Sequence, residues 1–122
     1  ISAKALEHVI TCQEIMELME NVKEVHCSDA IRDYIVEVAE ATRNADFIKL
    51  GVSPRGSIAL YRMAKAYAFV KGRSYVLPDD IKVLAPYVLS HRIILTPKGK
   101  SLVSDNEEAI RRLLQNVMVP VE

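Results

Sequence analysis

Some residues of this chain have types and spacings that could do chemistry. Gly99-Lys100-Ser101 matches the end of a phosphate-binding P-loop and follows an apolar, strand-like run. The full motif needs a glycine five residues before Gly99, and Ile94 stands there. It also needs a parallel sheet, and the chain shows no βαβ units that could build one. The motif therefore reads as a flexible surface turn. The histidines are His8, His26 and His91, with no i, i+4 pair and no HExxH among them. Neither metal ligation nor triad chemistry is predicted from them. His26 is expected at a helix boundary and His91 near a helix C-terminus, where positive charge is favoured. No serine sits in GxSxG. The acids are expected on helix starts and solvent faces. No catalytic residue and no metal site is predicted within the chain.

The segment Gly51-Val52-Ser53-Pro54-Arg55-Gly56 differs. Ser53 can cap a helix, and Pro54 suits its first turn, where a missing N–H costs nothing. Such a start presents free N–H groups and partial positive charge. Arg55 stands in that turn, and a guanidinium there adds a bidentate contact suited to phosphate. On these residues alone, Arg55 reads equally as a solvated arginine or one paired with a nearby acid.

The elements that must position these residues follow from composition and periodicity. With 122 residues, 50% of them hydrophobic, the chain suits one domain with a true core. Sixteen Lys and Arg balance 16 Asp and Glu, which removes the basic surplus of a nucleic-acid binder. Cys12 and Cys27 form no CxxC and read as reduced thiols filling core space. No apolar run approaches the roughly 20 residues needed to span a bilayer, and no secretory leader opens the chain. A cytoplasmic protein is expected, and the start at Ile1 suggests processing or a fragment.

Residues 1–10 carry weak periodicity and read as a linker or docking arm. Thr11 and Glu14 make a capping box for a helix over 12–23. Ser28 or Asp29 starts the next, with the stripe Ile31, Tyr34, Ile35, Val38 and Ala39. Residues 44–52 break the period and read as a loop. Leu60, Met63, Ala64, Tyr67 and Ala68 predict the buried face of a helix begun at Ser53-Pro54 and ended by Gly72. Tyr75 and Val76 read as briefly extended. Pro78-Asp79-Asp80 opens a helix with Ile81, Leu84, Ala85, Val88 and Leu89 inward, and Pro86 predicts a kink or break in it. Ile93-Ile94-Leu95 reads as extended, with a turn over residues 96–100. Ser104 and Glu107 make a second capping box, ahead of Ile110, Leu113, Leu114 and Val117. The prediction is an all-α bundle of about five helices with at most very short extended segments.

The ordered set VKEVHCSDAIRDYIVEVAEATR, GVSPRGSIALYRMAKAYAFVKG, GRSYVLPDD and APYVLSHRI closely resembles the C-terminal lid of MoxR-type AAA+ ATPases. The likeness runs from about residue 11 to 95, with similarity continuing to the ending NVMVPVE. It implies a lid domain over 11–122, a helical bundle following a P-loop core. The resemblance makes Arg55 the sensor-2 arginine that contacts the ATP phosphates, with Ser53 and Pro54 shaping the helix start. ATP with Mg would belong to the full-length parent and not to these residues alone, because the Walker motifs, sensor 1 and arginine finger are absent. Leu77 stands where the family commonly has a capping Thr. The implied partners are the protein's own ATPase core, neighbouring subunits of a ring, commonly a hexamer, and von Willebrand factor A-domain proteins. The implied work is chaperone-like remodelling or maturation of protein complexes. No nucleic-acid partner and no membrane insertion are expected, and Arg62 and Lys65 read as solvated or inter-subunit residues. The alternative is a stand-alone helical adaptor for protein interaction, without nucleotide function.

Overall fold

Apolar residues at helical spacing fold as helices where the pattern places them. The computed structural model describes residues 11–121, so the arm expected at 1–10, with His8, lies outside the described residues. Helix α1 spans Cys12–Lys23, α2 Asp29–Asn44, α3 Pro54–Val70 and α4 Pro78–Leu89. After a single 3-10 turn at Ser90–Arg92 come α5, Pro97–Leu102, and α6, Asn106–Leu114. The described residues thus hold six α-helices, one more than expected. The addition is α5, which replaces the turn predicted over 96–100. Thr96 caps it by accepting from the Gly99 N–H at 2.9 Å.

Two short strands complete the fold: β1, Ile48–Leu50, pairs antiparallel with β2, Ile94–Leu95. Ile48 faces Leu95 and Leu50 faces Ile94, with an irregularity between them. The predicted loop over 44–52 therefore contains a strand. Its partner lies more than 40 residues away in the chain, beyond the reach of local periodicity. A parallel bridge joins His26 to Tyr75, so the extended reading of Tyr75 stands as one isolated pairing.

The core lies where α2, α3, α4 and α6 pack together. Ile31, Tyr34, Ile35, Val38 and Ala39 of α2 are all buried, as are Leu60, Ala64 and Ala68 of α3. Met63, assigned to that face by its spacing, is 48% exposed. Helix α4 runs unbroken through Pro86. The pyrrolidine removes one backbone bond, and burial of Ile81, Ala85, Pro86 and Leu89 offsets the loss. Cys27 is buried as expected, Cys12 is exposed, and neither is in a disulfide.

The turn between α3 and α4 is tied by charge. Gly72, at φ 79°, ends α3, with the Arg73 N–H reaching the Ala68 C=O at 2.9 Å and the Gly72 N–H the Phe69 C=O. This is a Schellman closure, in which only glycine takes the left-handed position without steric cost. It delivers Arg73 to Asp80, whose carboxylate accepts two guanidinium N–H bonds at 2.7 and 2.8 Å. Asp80 also accepts the Leu77 N–H at 2.8 Å. Asp80 is 3% exposed and stands in the first turn of α4, the helix start where the sequence places it. The guanidinium's fork on Asp80 holds the Arg73 pKa above its ordinary value. At the far end, the predicted Ser104–Glu107 capping box does not form. Asp105 is the cap, accepting from the Glu108 N–H, while the Glu108 carboxylate accepts from Ser104.

Candidate functional site

Residues 51–53 connect β1 to α3, and the structure holds them and the first turn of the helix tightly. A Cβ on Gly51 would meet the backbone N and Cα of Arg43 at 2.7 and 2.8 Å, so glycine permits this close approach to α2. Val52 follows, fully buried. Its N–H donates to the Thr42 hydroxyl at 2.9 Å, and its C=O accepts from Arg43 Nε at 2.8 Å. Gly56 is also buried, with no room for a side chain between Val52 and the Arg92 stem.

On this platform Ser53, Pro54 and Arg55 are all exposed. Ser53 is the N-cap residue, with φ −78° and ψ 167°, but its side chain makes no cap bond. The predicted side-chain cap is therefore absent. The Gly56 N–H turns back to the Ser53 C=O at 2.9 Å. Pro54 has no N–H, and the Arg55 N–H has no acceptor among the described residues. The Arg55 guanidinium likewise makes no hydrogen bond or ion pair to another described residue. Of the open readings, an acid-paired Arg55 is thus not the one found among these residues. What the site offers is an unengaged guanidinium, a free backbone donor and the positive end of a 17-residue helix.

The remaining cations sit elsewhere. Lys65 donates to the Lys23 C=O at 2.7 Å and lies over the Tyr61 ring, fastening α1 to α3. Arg62 is exposed. His26 lies between α1 and α2, and His91 in the 3-10 turn after α4. Gly99-Lys100-Ser101 is part of α5 rather than a flexible turn. Gly99 is buried against the Phe47 carbonyl, where any Cβ would clash. Beside α3's first turns runs a groove of about 430 Å³ lined by Arg32, Ile35, Val36, Ser57, Ile58 and Tyr61. Val36 and Ile58 are 49% and 48% exposed there.

Thr42 and Arg43 were not singled out by spacing. One signal was present. Thr42 continues the buried stripe of α2 one turn beyond Val38, so a polar residue stands at a core position.

Comparison with known proteins follows the same residues. The AAA lid domain family matches residues 40–113, from the end of α2 through most of α6. The uncharacterized protein YeaC of Bacillus subtilis is 44% identical over 119 residues, covering 98% of this chain and 37% of its own length. Chaperone MoxR1 of Mycobacterium tuberculosis is 31% identical over 123 residues, covering 93% of this chain and 33% of its own. A crystal structure of a candidate ATPase from Cytophaga hutchinsonii superposes with a TM-score of 0.80 at 33% identity. That match covers 89% of this chain and 36% of the other. The chain thus spans about a third of the length of the relatives it matches.

Proposed function

Because the chain belongs to the MoxR-type AAA+ ATPases as their lid domain, we propose that it senses nucleotide bound to a P-loop core of the same protein. Arg55 reaches the ATP phosphates, and its engagement sets the position of the lid. Ser53 and Pro54 give the helix start its shape. One observation carries this reading: Arg55 is exposed and unengaged by other described residues, on an uncapped helix start that is otherwise rigidly held. A guanidinium beside a free backbone N–H at a helix start fits a polyphosphate in both charge and geometry. The Mg that accompanies ATP is assigned to the core. No group of three or more His, Cys, Asp or Glu is placed to hold a metal among the described residues.

The same reading extends to the whole protein. Ring assembly, commonly hexameric, brings neighbouring subunits against the lid, and residues 1–10 serve as the link to the core. Chaperone-like remodelling is the output, supported by the name of the mycobacterial relative. Von Willebrand factor A-domain proteins are the partner class, and the cytoplasm the working place. No helix among the described residues is long and apolar enough to cross a membrane.

The test is steady-state ATP hydrolysis by the full-length protein, wild type against Arg55→Ala, with folding checked by circular dichroism. Losing a preorganised charge-assisted contact costs about 2–4 kcal/mol of transition-state stabilisation, roughly 30- to 1,000-fold in turnover. Arg55→Lys, which keeps the charge but not the fork, should recover part of it. Wild-type turnover in a folded Arg55→Ala protein would make this helix start purely structural and bring the adaptor reading forward.

A further inference from the structure

We infer that Thr42 and Arg43, at the C-terminal end of α2, are positioning residues that fix where Arg55 stands; the inference rests on the reading of Arg55 as the phosphate contact. Both backbone polar groups of Val52 are held by side chains of these two consecutive residues. The Thr42 hydroxyl donates to the Ala39 C=O at 2.5 Å, which aims its lone pairs outward, and it accepts the Val52 N–H at 2.9 Å. Arg43 Nε closes the other side on the Val52 C=O at 2.8 Å. Gly51 lies on the Arg43 backbone, and the Val52 side chain lies fully buried beneath Gly56. Arg55 is three residues beyond Val52, within a turn stiffened by Pro54. A shift of Val52 is therefore a shift of Arg55.

Thr42 is 0% exposed at a site where an apolar residue would pack as well. A hydroxyl in a core is tolerated when both donor and acceptor are satisfied, and here both are. What the hydroxyl adds over a methyl group is the hold on Val52. Precision at this point matters because misplacing a charge-assisted contact by about 1 Å costs on the order of 10²-fold in rate. The clamp also makes α2 and the start of α3 one mechanical unit. Movement of Arg55 toward or away from phosphate is then transmitted to α2 rather than absorbed in a loop.

The experiment compares ATP turnover by the full-length protein in Thr42→Val, Thr42→Ser, Arg43→Met, Arg55→Ala and the double variant Thr42→Val/Arg55→Ala. Amide exchange at Val52 is followed alongside. Thr42→Val keeps the shape and removes the hydroxyl, so turnover should fall by about tenfold or more while Val52 exchange accelerates. Thr42→Ser should restore both. In the Arg55→Ala background, Thr42→Val should cost nothing further, which separates positioning from a general loss of structure. Arg43→Met, at an exposed site, gives the same readout if Thr42→Val does not fold. Wild-type turnover in Thr42→Val and Arg43→Met, beside an impaired Arg55→Ala, overturns the positioning role alone. So does an undiminished Thr42→Val effect without Arg55. Wild-type turnover in Arg55→Ala removes the phosphate reading and this role together, even where Val52 exchange shows that the clamp exists.

Discussion

Helices α1 and α3 begin in opposite ways. At α1 the start is chemically closed. Thr11 Oγ1 accepts the Glu14 N–H at 3.1 Å, and Glu14 accepts the Thr11 N–H at 3.3 Å. Yet α1 buries none of its residues, and Ile15, Met16, Leu18 and Met19 are between 41% and 67% exposed. At α3 the start is chemically open, without a side-chain cap, yet Gly56, Leu60, Ala64 and Ala68 are buried. Capping satisfies local orphan groups, whereas anchoring comes from burial and long-range bonds. An end held by Thr42 and Arg43 from a different helix can leave its own first-turn donor without an acceptor among the described residues. That combination, rigid placement with open chemistry, is what a ligand-reading helix start requires.

The largest test of this contrast is a pair of identical truncations. Leu60→Ala removes a fully buried side chain from α3 and should destabilise the chain by about 2–5 kcal/mol. Leu18→Ala acts on a residue 41% exposed and should change stability by less than about 0.5 kcal/mol. Chemical denaturation of the chain measures both. Comparable losses would mean that α1 is as firmly built into the core as α3, and the contrast would collapse.

The same contrast explains what the sequence made legible. The stripe from Ile31 to Ala39 and the box at Thr11 are short-range patterns, and each matches the structure. The place of Arg55 in the first turn of α3 was legible because its neighbours Ser53 and Pro54 mark a helix start. The clamp was not, since Thr42 meets Val52 only after α2 and α3 have packed. The β1–β2 pair has the same origin: Ile48 and Leu95 are partners by fold, not by spacing. Helix α5 was hidden because PKGKSL reads locally as a turn, and Gly99 shows its purpose only against the Phe47 carbonyl. For the complementary reason Pro86 does not break its helix: a local rule is outweighed by the burial around it.

A smaller effect separates the two helices by cooperativity. Thr11→Ala removes the capping box, a loss of about 1 kcal/mol to the helix it caps. With no residue of α1 buried, that loss should stay local. Amide exchange should accelerate through α1, while the thermal midpoint of the domain hardly moves. A midpoint lowered in proportion would show α1 unfolding together with the core.

The smallest change in stability carries the sharpest consequence. Ser53→Asp would supply the missing side-chain acceptor at α3 and favourable charge at the helix's positive end. A gain of about 0.5–1 kcal/mol in the isolated chain is expected. The added carboxylate would stand two residues from Arg55, engage the donors left open there, and repel an incoming phosphate. Nucleotide affinity and turnover of the full-length protein should therefore fall as the domain becomes more stable. Ser53→Asn, which caps without charge, should stabilise comparably and impair nucleotide binding less. If Ser53→Asp bound nucleotide as well as wild type, the open start of α3 would have no part in reading phosphate. Its missing cap would then be a structural accident, made tolerable by the clamp behind it.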